Sequence, residues 1–95
     1  MGQVIWAPAA LDDLDAICAF VSRDSADQAA FFVTRVMEAT DRLADFPHSG
    51  RVIPEIAKPS CREVFVGFYR IMYRIEGDTV WITSVVHGAR NWEAK

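Results

Sequence analysis

The run from Ser60 to Trp92 constrains the fold more than any other feature, because it holds three strand-like segments separated by two very short turns. Residues 61–66, 69–76 and 79–87 are rich in Val, Ile, Phe and Tyr, which favour strands. Gly67-Phe68 and Gly77-Asp78 separate them, and a two-residue loop with Gly at its first position favours a tight hairpin. The sequence therefore predicts a three-stranded antiparallel meander.

Two-residue turns also predict which residues lie opposite each other, and opposite residues share a face of the sheet. The predicted pairs are Val66 with Tyr69, Val64 with Ile71, Tyr73 with Ile82 and Ile71 with Ser84. One face is then apolar and suits a core. The other face is mixed, and we expect functional residues on it: Glu63, Phe65, Arg70, Met72, Arg74, Trp81, Thr83, Val85 and His87.

The first quarter of the chain predicts one strand and one helix. A short apolar run over residues 3–7 predicts a strand that joins the sheet, and Pro8 suits the first turn of a helix, where its missing N–H costs nothing. Apolar residues then recur at helical spacing up to about Ser22. Three aspartates favour the N-terminal end of this helix: Asp12, Asp13 and Asp15.

A second helix and a loop follow. Ser25 and Gln28 match a capping box, and the apolar periodicity continues to Phe46, where Pro47 ends the helix. The short connection between the helices predicts an antiparallel hairpin. Residues 47–59 contain three prolines and predict an ordered loop with at most a short extended piece.

These elements predict an α+β fold of order β-α-α-β-β-β, with the helical hairpin packed on one face of a mostly antiparallel four-stranded sheet. At 95 residues we expect a single domain spanning residues 1–95. Cys18 and Cys61 have neither CxxC spacing nor a nearby His, so we expect free thiols, no metal and no cofactor. The sequence shows no secretory leader and no long apolar run, so we expect a cytoplasmic protein that makes no membrane contact.

The net charge of −3 and the pI near 5.2 argue against a protein that holds nucleic acid directly. One cluster could still support chemistry, because the predicted register places Glu63, Arg70 and His87 on one face. A base, an acid and a cation are what ribonucleolytic attack by a 2′-hydroxyl needs. The alternative is that Glu63, Arg70 and Arg74 form ordinary cross-strand ion pairs on the surface.

Several short motifs, in this order and spacing, carry a family resemblance: Phe46-Pro47-x-x-Gly50-Arg51, Pro54, Arg62, Tyr69-Arg70-Ile71-x-Tyr73 and Val85-Val86-His87-Gly88-Ala89-Arg90. With the predicted element order, they resemble the RelE/ParE superfamily of type II toxin–antitoxin toxins across nearly the whole chain. The resemblance implies a bacterial cytoplasmic toxin that is neutralised by a small antitoxin encoded beside it. DNA would be contacted only through that antitoxin.

The superfamily divides by target. RelE-like members are similar to ribosome-dependent ribonucleases that cut messenger RNA, and by that resemblance Arg70 matches the arginine that they use for the phosphate. If this chain is such a ribonuclease, the cluster from the predicted register, Glu63, Arg70 and His87, would be catalytic. ParE-like members act on DNA gyrase without catalysis. The lysine-rich patch of the RelE type has no counterpart here except Lys58, and Arg90-Asn91-Trp92 replaces the expected ending. These departures and the acidic pI favour the ParE-like hypothesis.

On the ParE-like hypothesis, the C-terminal strand and tail face the target together with two strand arginines: Arg70, Arg74, His87, Arg90 and Trp92. The helices and the mixed sheet face would receive the antitoxin, with contacts from Phe65, Met72 and Trp81. Two alternatives stay open at this point. One is the RelE-like ribonuclease, with the ribosome and messenger RNA as partners, and the other is a non-toxic module that only binds an antitoxin.

Overall fold

The structure is a computed structural model that describes residues 2–89. Its elements follow the predicted order: β1 (Gln3–Trp6), α1 (Pro8–Ser22), α2 (Ala26–Asp41), a 3-10 turn (Arg42–Ala44), β2 (Arg51–Val52), β3 (Cys61–Val66), β4 (Tyr69–Glu76) and β5 (Thr79–His87). The sheet order is β1-β5-β4-β3-β2. β1 runs parallel to β5, and the other neighbours are antiparallel.

The predicted fold class is confirmed, with one difference in the number of strands. Arg51 and Val52 pair with Glu63 and Arg62, so part of the loop adds a fifth strand at the β3 edge. The sequence indicated only a short extended piece there. α1 packs against α2 and β5, while α2 packs against β3, so the helical hairpin covers one face of the sheet. We call this the helix face and the opposite one the outer face.

Local signals set most of the helix ends. Pro8 lies in the first turn of α1, and the Ser25 Oγ accepts a hydrogen bond from the Gln28 N–H at 3.1 Å, which confirms the serine half of the predicted capping box. The Ser25 N–H donates to the Val21 carbonyl at 3.1 Å. α2 is shorter than predicted, because its last turn tightens into the 3-10 turn and leaves Phe46 62% exposed. The three early aspartates also lie beyond the first turn of α1, so they are not charges at the helix start.

The core lies between the helices and β3, β4 and β5. Val36 and Leu43 meet Ile71, Tyr73 and Ile82 there, and all five are at most 1% exposed. Burying an aliphatic or aromatic side chain of this size contributes about 1.5–3 kcal/mol. Within residues 2–89, no helix is long and apolar enough to cross a membrane.

The two hairpin turns form as predicted. Gly67 and Gly77 have φ angles of +57° and +55°, and each is the first central residue of its turn. A side chain at either position would be strained, which explains why the turns use glycine.

The predicted register of the meander is correct between β3 and β4, and between β4 and β5 it is correct up to Ile82 and wrong from Ser84 onward. Val66 lies opposite Tyr69 and Tyr73 lies opposite Ile82, as predicted. However, Ile71 lies opposite Val85 instead of Ser84, because a β-bulge leaves Thr83 without a partner in β4. One extra residue moves every later side chain to the other face.

Because of the bulge, two residues lie on the opposite face from the one predicted. Val85 was expected on the outer face, but it lies opposite Ile71 on the helix face and is 3% exposed. His87 lies opposite Tyr69, and Tyr69 packs against the core. His87 therefore lies on the helix face, across the sheet from Arg70.

Candidate functional site

The outer face carries a chain of four alternating charges, which we call the charge lock: Arg51, Glu63, Arg70 and Glu55. Glu63 is central, since its Oε2 accepts from the Arg51 Nε and its Oε1 accepts from the Arg70 Nε, both at 2.6 Å. The Glu63 side chain has no exposed area and that of Arg70 is 7% exposed. Strand pairing explains this meeting, because Arg51 lies directly opposite Glu63 and Arg70 lies on the next strand.

Glu55 completes the charge lock from the loop that joins β2 to β3. Its Oε1 and Oε2 accept from the two terminal nitrogens of Arg70 at 2.7 and 2.8 Å, a bidentate geometry. These hydrogen bonds lower the pKa of Glu55 to about 2. The same hydrogen bonds, together with the one that Arg70 donates to Glu63, raise the pKa of Arg70 above its usual high value. The loop therefore lies across the outer face and covers Arg70.

A second set of contacts joins the segment just before β2 to the core. The Tyr73 hydroxyl donates to the Pro47 carbonyl at 2.7 Å and accepts from the Gly50 N–H at 3.0 Å. A Cβ at Gly50 would lie 2.5 Å from both the Tyr73 hydroxyl and the Glu63 carbonyl oxygen, so only glycine fits. Arg62 donates to the Gly50 carbonyl at 2.9 Å. Burial raises the pKa of Tyr73.

The motif residues that carried the family resemblance are thus largely residues that hold the loop on the sheet. Gly50, Arg51, Arg62, Arg70 and Tyr73 all make contacts between these two parts of the molecule. The charged groups of Arg70 and Glu63 already have partners of opposite charge, because Arg70 pairs with Glu63 and Glu55, and both carboxylate oxygens of Glu63 accept from arginine. A phosphate at Arg70 would have to displace the Glu55 carboxylate.

The candidate catalytic set is not assembled in this structure. Glu63 and Arg70 touch each other, but both carboxylate oxygens of Glu63 already accept from arginine. His87 lies on the helix face, where its ring meets Tyr69 edge-on at 5.2 Å between centroids. His87 lies on this face because of the bulge at Thr83, and the alternation of residues in the sequence does not reveal a bulge.

The other predicted site residues differ in exposure. Arg74 is exposed and pairs with Glu76 at 2.7 Å, while Trp81 is half-buried opposite Arg74. Phe65 is 50% exposed, and the Arg51 guanidinium carbon lies over the Phe65 ring, 5.2 Å from the ring centroid. Met72 was expected to be exposed, but it is only 1% exposed, since the outer face is covered at the middle of β4. Arg90 and Trp92 lie outside the described residues.

Two residues with clear roles were missed in the sequence. Glu55 follows Pro54 in an irregular loop, and nothing local distinguishes it from a solvated carboxylate. Asp13 was assigned to the helix start, but its Oδ2 accepts from the backbone N–H of Val85, 72 positions later, at 3.0 Å. Among residues 2–89, no three His, Cys, Asp or Glu side chains converge as metal ligands would.

Comparison with known proteins gives one family throughout. The family model described as "ParE toxin of type II toxin-antitoxin system, parDE" matches residues 4–92. A putative toxin, Y4kP, of Sinorhizobium fredii is 40% identical over 92 residues, which cover 95% of this chain and 92% of the relative. Toxin RelE2 of Caulobacter vibrioides is 36% identical over 91 residues, covering 95% and 99% of the two chains. Toxin ParE1 of Mycobacterium tuberculosis is 33% identical over 88 residues, covering 90% and 88%.

A solved structure supports the fold. A chain of the chromosomal ParDE toxin–antitoxin system from P. aeruginosa superposes with a TM-score of 0.74, at 22% identity, over 92% of this chain and 96% of that one. The family match leaves out only the first three and last three residues, and three relatives exceed 30% identity over nearly their full length. The chain therefore belongs to the ParE toxin family of type II toxin–antitoxin systems.

Proposed function

We propose that this protein arrests bacterial growth in the cytoplasm by binding DNA gyrase, without catalysing a reaction, and that a cognate antitoxin neutralises it. Membership of the ParE toxin family supports the toxin role and the antitoxin partner. The choice of gyrase as the target goes beyond family membership, and it rests on the charged groups of the outer face, which already have partners.

The observation that carries the proposal is the charge lock. A ribonuclease of the kind considered from the sequence needs a cation open to phosphate and a base open to a hydroxyl. Arg70 is 5% exposed and faces two carboxylates, and Glu63 is 1% exposed and faces two guanidinium groups. Both groups act as parts of the scaffold, which favours a binding protein over an enzyme.

The proposed target surface follows the same logic. Arg74 and His87 are exposed and remain candidates for direct contact, together with the tail residues Arg90 and Trp92. Arg70 is better suited to supporting this surface than to touching a partner. For the antitoxin, we propose contacts at Phe65 and Trp81, while Met72 contributes through packing because it is buried.

The test is plasmid supercoiling by purified gyrase, titrated with the purified toxin. We expect dose-dependent inhibition that the antitoxin encoded beside it reverses at equimolar ratio. A folded toxin that has no effect at micromolar excess over gyrase would reject the target.

The RelE-like ribonuclease is the second candidate, and one relative, 36% identical, is named toxin RelE2. It predicts cleavage of translated messages in a cell-free extract by the wild-type protein. The non-toxic module predicts neither activity. Normal growth on expression, with the protein shown to be folded and without antitoxin, would favour that module and reject both toxic mechanisms.

A further inference from the structure

The edge of β5 changes its neighbour halfway along the strand. β1 pairs with β5 only from Thr79 to Ile82, and the last contact of this run is the Ala7 N–H donating to the Ile82 carbonyl at 2.9 Å. The chain then enters α1 and leaves the sheet. Beyond Ile82, β5 has β4 on one side, and no strand formed by residues 2–89 pairs with it on the other. Backbone groups on that side need other partners, because an unpaired buried N–H is costly.

Asp13 supplies one of these partners. α1 packs against β5, and the Asp13 Oδ2 accepts the hydrogen bond from the Val85 N–H at 3.0 Å. Val85 is 3% exposed and Asp13 is half-buried, so water competes poorly for this contact. A carboxylate accepting from a backbone amide is also a stronger acceptor than a neutral group.

This contact lies just after the bulge. Thr83 has no partner in β4, and its hydroxyl donates to the Met72 carbonyl at 3.3 Å. The ladder resumes with Ser84 opposite Met72, and the Asp13 carboxylate holds the next residue, Val85, which lies opposite Ile71. One side-chain contact is therefore made by the bulged residue itself, and the other by the second residue after it.

The position of Val85 decides the position of His87, because residues two apart on a strand share a face. The His87 ring stacks on Phe68 at 6.3 Å between centroids and meets Tyr69 edge-on at 5.2 Å. Its Nδ1 accepts from the Ala89 N–H at 3.1 Å, and the Gly88 N–H donates to the Phe68 carbonyl at 2.6 Å. The end of the described chain is thus held against the tip of the β3–β4 hairpin.

We infer that Asp13 is a positioning residue: by accepting the hydrogen bond of the Val85 amide it holds β5 in its bulged register and so places His87 on the helix side of the sheet. Its importance for toxicity rests on the proposed function, in which this C-terminal end contacts the target. Without the acceptor, the regular register expected from the two-residue turns would turn Val85 and His87 to the outer face.

The structural test compares Asp13→Ala with Asp13→Asn, and uses Asp12→Ala as the matched control. Asp12 is the exposed neighbour on the same helix and loses the same charge. NMR reports on both ends of the inference, through hydrogen exchange of the Val85 amide and through the chemical shifts of the His87 ring protons, which lie beside two aromatic rings.

In Asp13→Ala we expect the Val85 amide to exchange at least about tenfold faster than in the wild type, relative to the Ile82 amide, and the His87 ring shifts to move toward values of a solvated histidine. Asp13→Asn should keep both signals, because its amide oxygen can still accept the hydrogen bond. If Asp13→Ala does not fold, Asp13→Leu keeps the packing volume while removing the acceptor. Unchanged exchange and unchanged His87 shifts in a folded variant would overturn the inference.

The functional arm uses growth arrest and gyrase inhibition with the same variants. Asp13→Ala should need about tenfold more protein for half-inhibition, while Asp13→Asn and Asp12→Ala behave as wild type. Full potency with a displaced His87 would show that this placement does not matter for toxicity. If the wild type arrests growth but leaves gyrase active, the gyrase proposal fails by itself, and the Asp13 inference is judged by NMR and growth arrest.

Discussion

Replacing Arg70 with Ala removes one cation from the middle of the charge lock, and we expect a large loss of stability. Glu63 would keep Arg51 as its partner, but the Arg51 side chain is 57% exposed and the Glu63 carboxylate has no exposed area. Removing one partner of a buried ion pair costs about 3–5 kcal/mol, because it leaves a buried charge incompletely compensated. Glu55 adds little to this cost, since its side chain is 34% exposed and can be hydrated.

The size of this effect can be checked against a neighbour on the same strand face. Arg74 pairs with Glu76, but both side chains are about half exposed, at 45% and 56%. Exposed pairs of this kind contribute about 0–1 kcal/mol. For a domain of this size, 1 kcal/mol corresponds to about 4–8 °C in Tm. We therefore expect Arg70→Ala to lower Tm by about 12 °C or more, and Arg74→Ala by less than about 8 °C.

The assay is thermal unfolding followed by circular dichroism, at matched pH and salt. A double variant, Glu63→Leu with Arg70→Met, should recover most of the lost stability, because apolar residues of similar volume can replace a buried ion pair. Similar small shifts for Arg70→Ala and Arg74→Ala would refute the reasoning. The double variant also separates a structural role of Arg70 from a role in target binding. If Arg70 is structural, the double variant still inhibits gyrase. A loss of inhibition with normal Tm would mean that Arg70 contacts the target.

Two further predictions concern the segments on either side of β2. Tyr73→Phe leaves the buried Gly50 N–H without its acceptor and should destabilise the protein by about 1–3 kcal/mol, measured by urea denaturation. Tyr69→Phe is the control and should cost much less, because the Tyr69 hydroxyl makes no hydrogen bond within residues 2–89. The pKa of Glu55 is lowered from 4.5 to about 2 in the folded protein, so its contribution to stability is complete above about pH 4.5 and is lost as the pH falls toward 2. The stability difference between wild type and Glu55→Gln should therefore be constant near neutral pH and shrink across that acidic range, and a constant difference down to pH 2 would contradict the Glu55–Arg70 contact.

Much of the fold could be predicted because the signals are local. Ser25 caps α2 through the nearby Gln28 amide, and Pro8 begins α1, so both helix starts depend on residues within one turn. Gly67 and Gly77 adopt positive φ angles in two-residue turns, which determined the strand order of the meander and its register close to each turn. The family resemblance also followed from short motifs at fixed spacing, and the family match confirmed it.

The candidate site depended on contacts that no local pattern contains. Two residues after the bulge at Thr83, the Val85 N–H donates to Asp13, which lies 72 positions earlier in the chain. This contact requires α1 to be packed on β5 already. Similarly, Glu55 reaches Arg70 only when the loop has folded across the sheet. The sequence alone determined the order of the two helices and of four strands, the two hairpin turns and the family, because each depends on residues close together in the chain. Only the tertiary structure decided that Arg70 is buried and His87 lies on the opposite face, because backbone amides and buried charges take their partners from distant elements.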